Sequence, residues 1–159
     1  MRKSLVLNVC RWLSIAIILV NLISCMDTAS SKNTSSPQDI RAIVELAKNA
    51  WIARDADALA QLFTPNGELI VPGQRWQGQA KIRSEVAKFA QQYTDVKITI
   101  HRTIVEGNLA AVEWHYEDTE TATGKHNQAD DAIVIEVQNG RISYWREYFD
   151  TSSQGLVGH

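Results

Sequence analysis

From Ile40 onward, apolar residues recur at three- and four-residue steps: Ile40, Ile43, Val44, Ala47, Ala50 and Trp51. This spacing lays one apolar stripe along an amphipathic helix. Just ahead of it, Ser36-Pro37-Gln38-Asp39 supplies an N-cap, a proline suited to the first helical position and an acid in the first turn, so the helix is predicted to start there. Asp55 is placed to cap a second, short helix with Leu59, Leu62 and Phe63 on its buried face. Pro65-Asn66-Gly67 breaks that helix, and Glu68 to Val71 reads as a short strand stopped by Pro72-Gly73. Gln74 to Gly78 reads as a loop that carries Trp76 on a rim. A third helix then has Ile82, Val86, Phe89, Ala90 and Tyr93 on one side, with Lys81, Arg83 and Lys88 toward water.

After Thr94 the period changes to two and β-branched residues dominate, which predicts strands at 95–105, 109–119, 129–138 and 141–150. Glu106-Gly107-Asn108 and Asn139-Gly140 are hairpin signals between them. Three helices followed by an antiparallel meander give an α+β domain, its curved sheet wrapped around the helices. No internal repeat interrupts this order.

Upstream of the first helix the pattern is of another kind. Arg2, Lys3 and Arg11 precede the 12-residue apolar run Trp12 to Ile23, which ends at Ser24-Cys25. Charge, apolar run and small-residue site in that order read as a secretory signal, and the run falls short of the about 20 residues that span a bilayer. Leu22-Ile23-Ser24-Cys25 resembles the lipobox of bacterial lipoproteins, which implies that Cys25 is acylated and anchors an exported domain to a membrane of the cell envelope. Cleavage there removes Cys10 and uses Cys25, leaving the domain no cysteine for disulfides or thiol chemistry. The predicted organisation is a signal at 1–25, a Ser/Thr-rich tether at 26–36, one domain at 37–151 and a tail at 152–159.

Charge narrows the partners. Beyond residue 25 the chain holds 13 basic against 18 acidic residues, without a basic stripe, so nucleic acid is not an expected partner. His101, His115 and His126 lack zinc-ligand spacing, and Asp130-Asp131 lacks that of a calcium loop, so no metal is expected. Neither a phosphate-cradling glycine loop nor a nucleophile elbow occurs, and no cofactor is expected.

The order of elements, with the segment Trp51 to Phe63 and the ending Asn139-Gly140-Arg141-Ile142-Ser143-Tyr144-Trp145-Arg146-Glu147-Tyr148-Phe149-Asp150, resembles the SnoaL-like branch of the nuclear transport factor 2-like superfamily. That resemblance covers about residues 38–151 and implies a cone-shaped pocket that different members use as isomerases, cyclases, dehydratases, epoxide hydrolases or non-catalytic binders. The ending is especially similar to that of limonene-epoxide hydrolases, whose Asp-Arg-Asp triad activates water. Aligned on it, Glu147 takes the second aspartate, Trp114 the arginine and Tyr116 the first aspartate. A guanidinium between two carboxylates cannot be assembled from these three. The position of the proton-shuttling aspartate of ketosteroid isomerases is Val71, so that base is missing too.

Strand alternation says which side chains share a face, and the resemblance says which face is inward. Inward are expected Trp145, Glu147 and Phe149 from the last strand, Trp114 and Tyr116, Asp131 and Ile133, and Leu69 and Val71, with Trp51 closing the floor from the first helix. An apolar aromatic cup with two carboxyls suits a small apolar or aromatic molecule. Burial should raise the pKa of the drier acid. One reading makes Glu147 the proton-transfer group, oriented by Asp131 or Tyr116, in a lyase, isomerase or hydrolase. Others pair Glu147 with Arg102 or Arg75 as a structural tie, or make the protein a binder without turnover. A last reading, from the resemblance, is a homodimeric interaction module that uses the outer sheet face at Thr99, His101 and Thr103.

Overall fold

A computed structural model describes residues 36–150. The predicted signal, Cys25, the predicted tether up to residue 35 and the predicted tail lie outside the described residues. Helix α1 (Pro37–Ala53) opens with a capping box: the Ser36 side chain accepts from the Asp39 backbone N at 3.2 Å, and Asp39 Oδ2 accepts from the Ser36 N at 2.9 Å. Its predicted apolar stripe is buried in full, from Ile40 to Trp51. Arg54 ends it with a left-handed φ of 56°, and Asp55 caps α2 (Ala56–Gln61) by accepting from the Ala58 N at 2.9 Å. The Arg54 guanidinium then donates to the Ala90 and Tyr93 carbonyls at 3.2 and 3.0 Å, tying this corner to the end of the third helix.

The sheet has six strands: β1 (Phe63–Val71), β2 (Gln74–Gln77), β3 (Tyr93–Glu106), β4 (Leu109–Glu120), β5 (His126–Gln138) and β6 (Arg141–Phe149), with α3 (Gln79–Gln92) between β2 and β3. Their order is β2-β1-β6-β5-β4-β3. All neighbours are antiparallel except β1 and β6, which run parallel, so the sheet is mixed rather than a pure meander. Its inner face packs on the helices, with Phe63, Leu69, Ile133, Ile135, Ile142 and Trp145 among the residues most completely excluded from water. These contacts make one core with the α1 stripe, Leu59, Ile82 and Val86.

Several sequence expectations are corrected here. Phe63 is the first residue of β1, not a helical one, because the chain passes from α2 straight into the strand and absorbs Pro65 in an irregular stretch between Phe63 and Glu68. Gln74 to Gln77 is a strand, not a loop, and its Trp76 is buried. Tyr93 likewise begins β3. A bulge between Ile100 and Arg102 reverses the alternation in β3: Thr103 lies opposite buried Val112, while Ile104 lies opposite Ala111 on the outer face. Thr99 and His101 are exposed as expected, but Thr103 does not share their face. Asn139 and Gly140 take φ of 52° and 74°, the two positive values that a two-residue turn between β5 and β6 requires.

Candidate functional site

Between the inner face of the sheet and helices α1 and α3 lies a cavity of about 540 Å³. Strand alternation delivers its wall: Trp114, Tyr116 and Asp118 from β4, Ala129 and Asp131 from β5, Glu147 and Phe149 from β6. Trp51 contributes from the end of α1 and Val71 from the end of β1. Of the ten predicted pocket residues, Leu69, Ile133 and Trp145 are set apart: they are 0%, 1% and 0% exposed and sit in the core behind this wall. Alternation and the resemblance placed them on the correct face, but they lie too deep between the layers to border the space.

The carboxyls are held by indoles. Trp114 and Asp131 stand opposite each other on β4 and β5, and the indole Nε1 donates to Oδ2 at 2.8 Å. On β6, Trp145 and Glu147 are two residues apart on one face, and the Trp145 Nε1 donates to Glu147 Oε1 at 2.8 Å. The two tryptophan rings lie against each other with centroids 5.6 Å apart. Trp145 therefore shapes the site from behind, by orienting Glu147. Neither Arg75 nor Arg102 reaches Glu147. Arg75 pairs with Glu68 at 2.9 Å and Arg102 with Glu113 at 3.4 Å, which removes the structural-tie reading.

Burial governs the protonation of both acids. It pushes the Glu147 carboxyl from its ordinary 4.5 up to about 8; the Trp145 hydrogen bond pulls the other way and the nearby Asp131 adds to the rise. Asp131 rises from 3.8 to about 6, again chiefly through burial; the Trp114 hydrogen bond and His115 oppose it, while Asp130 adds to it. At neutral pH the pair thus offers a protonated carboxyl on β6 beside a mostly ionised one on β5, the separation that lets one group donate a proton and the other accept one.

Tyr116 is held differently. Its hydroxyl donates to Asp118 Oδ2 at 2.7 Å, and Asn127 donates to Asp118 Oδ1 at 2.8 Å. Burial and this bond both hold the phenol protonated far above its usual range. To stabilise an oxyanion, the hydroxyl must first leave Asp118. Two buried polar atoms have no hydrogen-bond partner among the described residues, the Trp51 Nε1 and Asp131 Oδ1, and both residues line the cavity.

Sequence reasoning missed part of the wall. Trp76 is buried beside the cavity on a strand too short to carry a periodic signal. Phe89 and Tyr93 stack with centroids 5.0 Å apart, and Phe89 meets the edge of Trp51 at 5.3 Å, extending the aromatic lining onto α3. Asp118 follows Tyr116 at the same two-residue step that revealed Trp114, and the alternation could have found it. Among the described residues no group of three or more His, Cys, Asp or Glu is placed to hold a metal ion. The outer face holds His115, paired with Asp130 at 2.8 Å, and His126, paired with Glu117 at 3.4 Å.

Helices laid into a curved mixed sheet, with a cavity between the layers, define a nuclear transport factor 2-like protein. The model of the SnoaL-like domain matches residues 41–145, and the chain belongs to that family. Similar solved structures include an LEH-like epoxide hydrolase from M. tuberculosis, 23% identical over 76% of this chain and 90% of that one, with a TM-score of 0.66. A protein with a ketosteroid isomerase-like fold from Catenulispora acidiphila, solved with trimethylamine, is 21% identical over 70% and 87%, with a TM-score of 0.65. TerC, co-crystallised with polyporic acid, is 17% identical over 73% and 95%, with a TM-score of 0.64. No curated relative matches the sequence. Where the limonene-epoxide hydrolases that the ending resembles use an arginine between two aspartates, this cavity presents Trp114, Tyr116 and Glu147, and no arginine among the described residues lines it.

Proposed function

We propose that this protein holds a small apolar or aromatic molecule in the cavity between sheet and helices, at the cell envelope, where acylated Cys25 anchors it. The observation that carries this reading is an aromatic-lined space of about 540 Å³ into which Asp131 and Glu147 are set, each oriented by an indole N–H. Such a volume and lining match a small-molecule site. The unequal protonation of the two acids equips it for proton transfer, with Glu147 as acid and Asp131 as base, in chemistry of the lyase, isomerase or hydrolase kind. Native mass spectrometry of the full-length protein, compared with its denatured organic extract, tests the binding. A co-purifying small molecule that is lost in Trp51→Ala supports it, and an empty protein that takes up no apolar ligand overturns it. Once a ligand is known, Glu147→Gln separates the roles: an enzyme loses turnover with its melting temperature kept, whereas a carrier keeps its ligand unchanged. The anchor is tested by Cys25→Ala, which should release the protein from the membrane fraction.

A second reading, compatible with the first, is a homodimer through the outer sheet face. The register lines up exposed Ile104, Ala111 and Val134 across β3, β4 and β5, with exposed Tyr148 close by on β6. Ile104→Lys should then shift sedimentation toward a monomer.

A further inference from the structure

Asp118, Asp131 and Glu147 are the buried charged or polar residues of the described chain, at 5%, 4% and 9% exposure. All three are acids, and all three line the same cavity. Buried carboxyls are ordinarily matched by an arginine or lysine. Here none of the three forms an ion pair among the described residues; their partners are the neutral donors Tyr116, Asn127, Trp114 and Trp145. Among the described residues, the one basic side chain on the cavity's border, Lys88, is already paired with Glu85 at 2.8 Å. Asp131 Oδ1 has no hydrogen-bond partner among the described residues. The site is therefore built with an excess of buried acid, and its lining includes the aromatic rings of Trp51, Trp76, Phe89, Tyr93 and Trp114, whose faces attract positive charge.

We propose that the cavity takes an organic cation, a small amine or quaternary ammonium compound with apolar or aromatic substituents, its charge set against Asp131 and Glu147. This rests on reading the cavity as a small-molecule site. A metal ion is a poor candidate for the missing charge, since no cluster of three ligating side chains is present among the described residues and the space is far larger than an ion. An alkylammonium group fits both features: its charge meets the unpaired acids, and its carbon surface meets Trp51, Trp76 and Trp114. A negatively charged ligand would be repelled by the same wall.

The test compares two probes of one shape, phenyltrimethylammonium and its neutral isostere tert-butylbenzene, titrated into the full-length protein at pH 8 by calorimetry and tryptophan fluorescence. The cation should bind at least about tenfold more tightly, the gain expected of desolvated cation–aromatic and charge contacts. In the double variant Asp131→Asn, Glu147→Gln, confirmed folded by its melting transition, the cation should lose about tenfold or more while the neutral probe stays within about threefold. Tighter or equal binding of tert-butylbenzene by the natural protein overturns the cation proposal and leaves a small-molecule site standing. Equal cation affinity in the double variant also overturns it. If neither probe binds, the cation at millimolar concentration and tert-butylbenzene up to its aqueous solubility, both the proposal and the small-molecule reading fall.

Discussion

Trp114 and Asp131 face each other across the β4–β5 pair, and among the described residues a 2.8 Å hydrogen bond from the indole to Oδ2 is the one hydrogen bond given to that carboxyl. The bond opposes the burial that raises the acid's pKa. Trp114→Phe keeps an aromatic body at the position but leaves both Asp131 oxygens bare. It should raise the Asp131 pKa above about 6 and cost about 1–3 kcal/mol for the orphaned polar group. A carboxyl-detected NMR titration and urea unfolding measure the two effects. An unchanged Asp131 pKa would show that the indole is not what holds it.

Because Glu147 gains proton affinity on folding, the native state binds more protons than the unfolded chain between its ordinary 4.5 and about 8. Stability must fall as pH rises through that window. Asp131 acts in the same direction between 3.8 and about 6. Asp39 and Glu85, whose pKa values are lowered by their hydrogen bonds, oppose this only at pH below their ordinary values of 3.8 and 4.5. The melting temperature should therefore drop by at least about 5 °C from pH 5 to pH 8. Glu147→Gln should flatten most of that slope, as read by calorimetric scans in matched buffers.

These acids also mark how far the sequence could be read. Period-two alternation set Trp114 beside Tyr116, since each step of two along a strand returns to the same side, and the family resemblance chose the inward face that brought Asp131 and Glu147 to them. The Ser36 capping box and the stripe from Ile40 to Trp51 were legible for the same reason: local geometry fixes them. Depth was not legible. Leu69, Ile133 and Trp145 obey the alternation yet lie behind the cavity, because depth depends on how closely α1 and α3 approach the sheet. Nor was the bulge after Ile100, which no turn residue announces and which turns Thr103 inward. The strand that carries Trp76, read as a rim loop, escaped because four residues between Gly73 and Gly78 are too few to show a period.

The parallel junction of β1 and β6 depends on Gly67. A Cβ there would stand 2.9 Å from the Ile142 carbonyl oxygen and 3.1 Å from the Phe63 Cβ, both fixed in the sheet or the core. Gly67→Ala should cost about 1–3 kcal/mol through this overlap. Gly107→Ala, whose added carbon meets no atom within 4 Å, bears only the strain of its φ of +60° and serves as the comparison in denaturant unfolding.

Trp51 and Trp145 offer a matched pair, since both indoles are buried and among the described residues only Trp145 has a partner for its N–H. Trp145→Phe removes the donor to Glu147 Oε1 from a wholly buried position. It should cost about 2–4 kcal/mol, combining lost packing with a carboxyl left bare. Trp51→Phe also loses ring volume, but it removes an N–H that has no partner among the described residues, and the two effects oppose each other. Its stability should stay within about 1 kcal/mol of the natural protein. The N–H of Trp51 is then free for a ligand, so Trp51→Phe should weaken retention of any co-purifying molecule that presents an acceptor, while the melting temperature barely moves. Unfolding in urea and native mass spectrometry of the same two preparations separate the cases. A large stability loss in Trp51→Phe would mean that its indole N–H is satisfied within the protein and is not offered to the cavity.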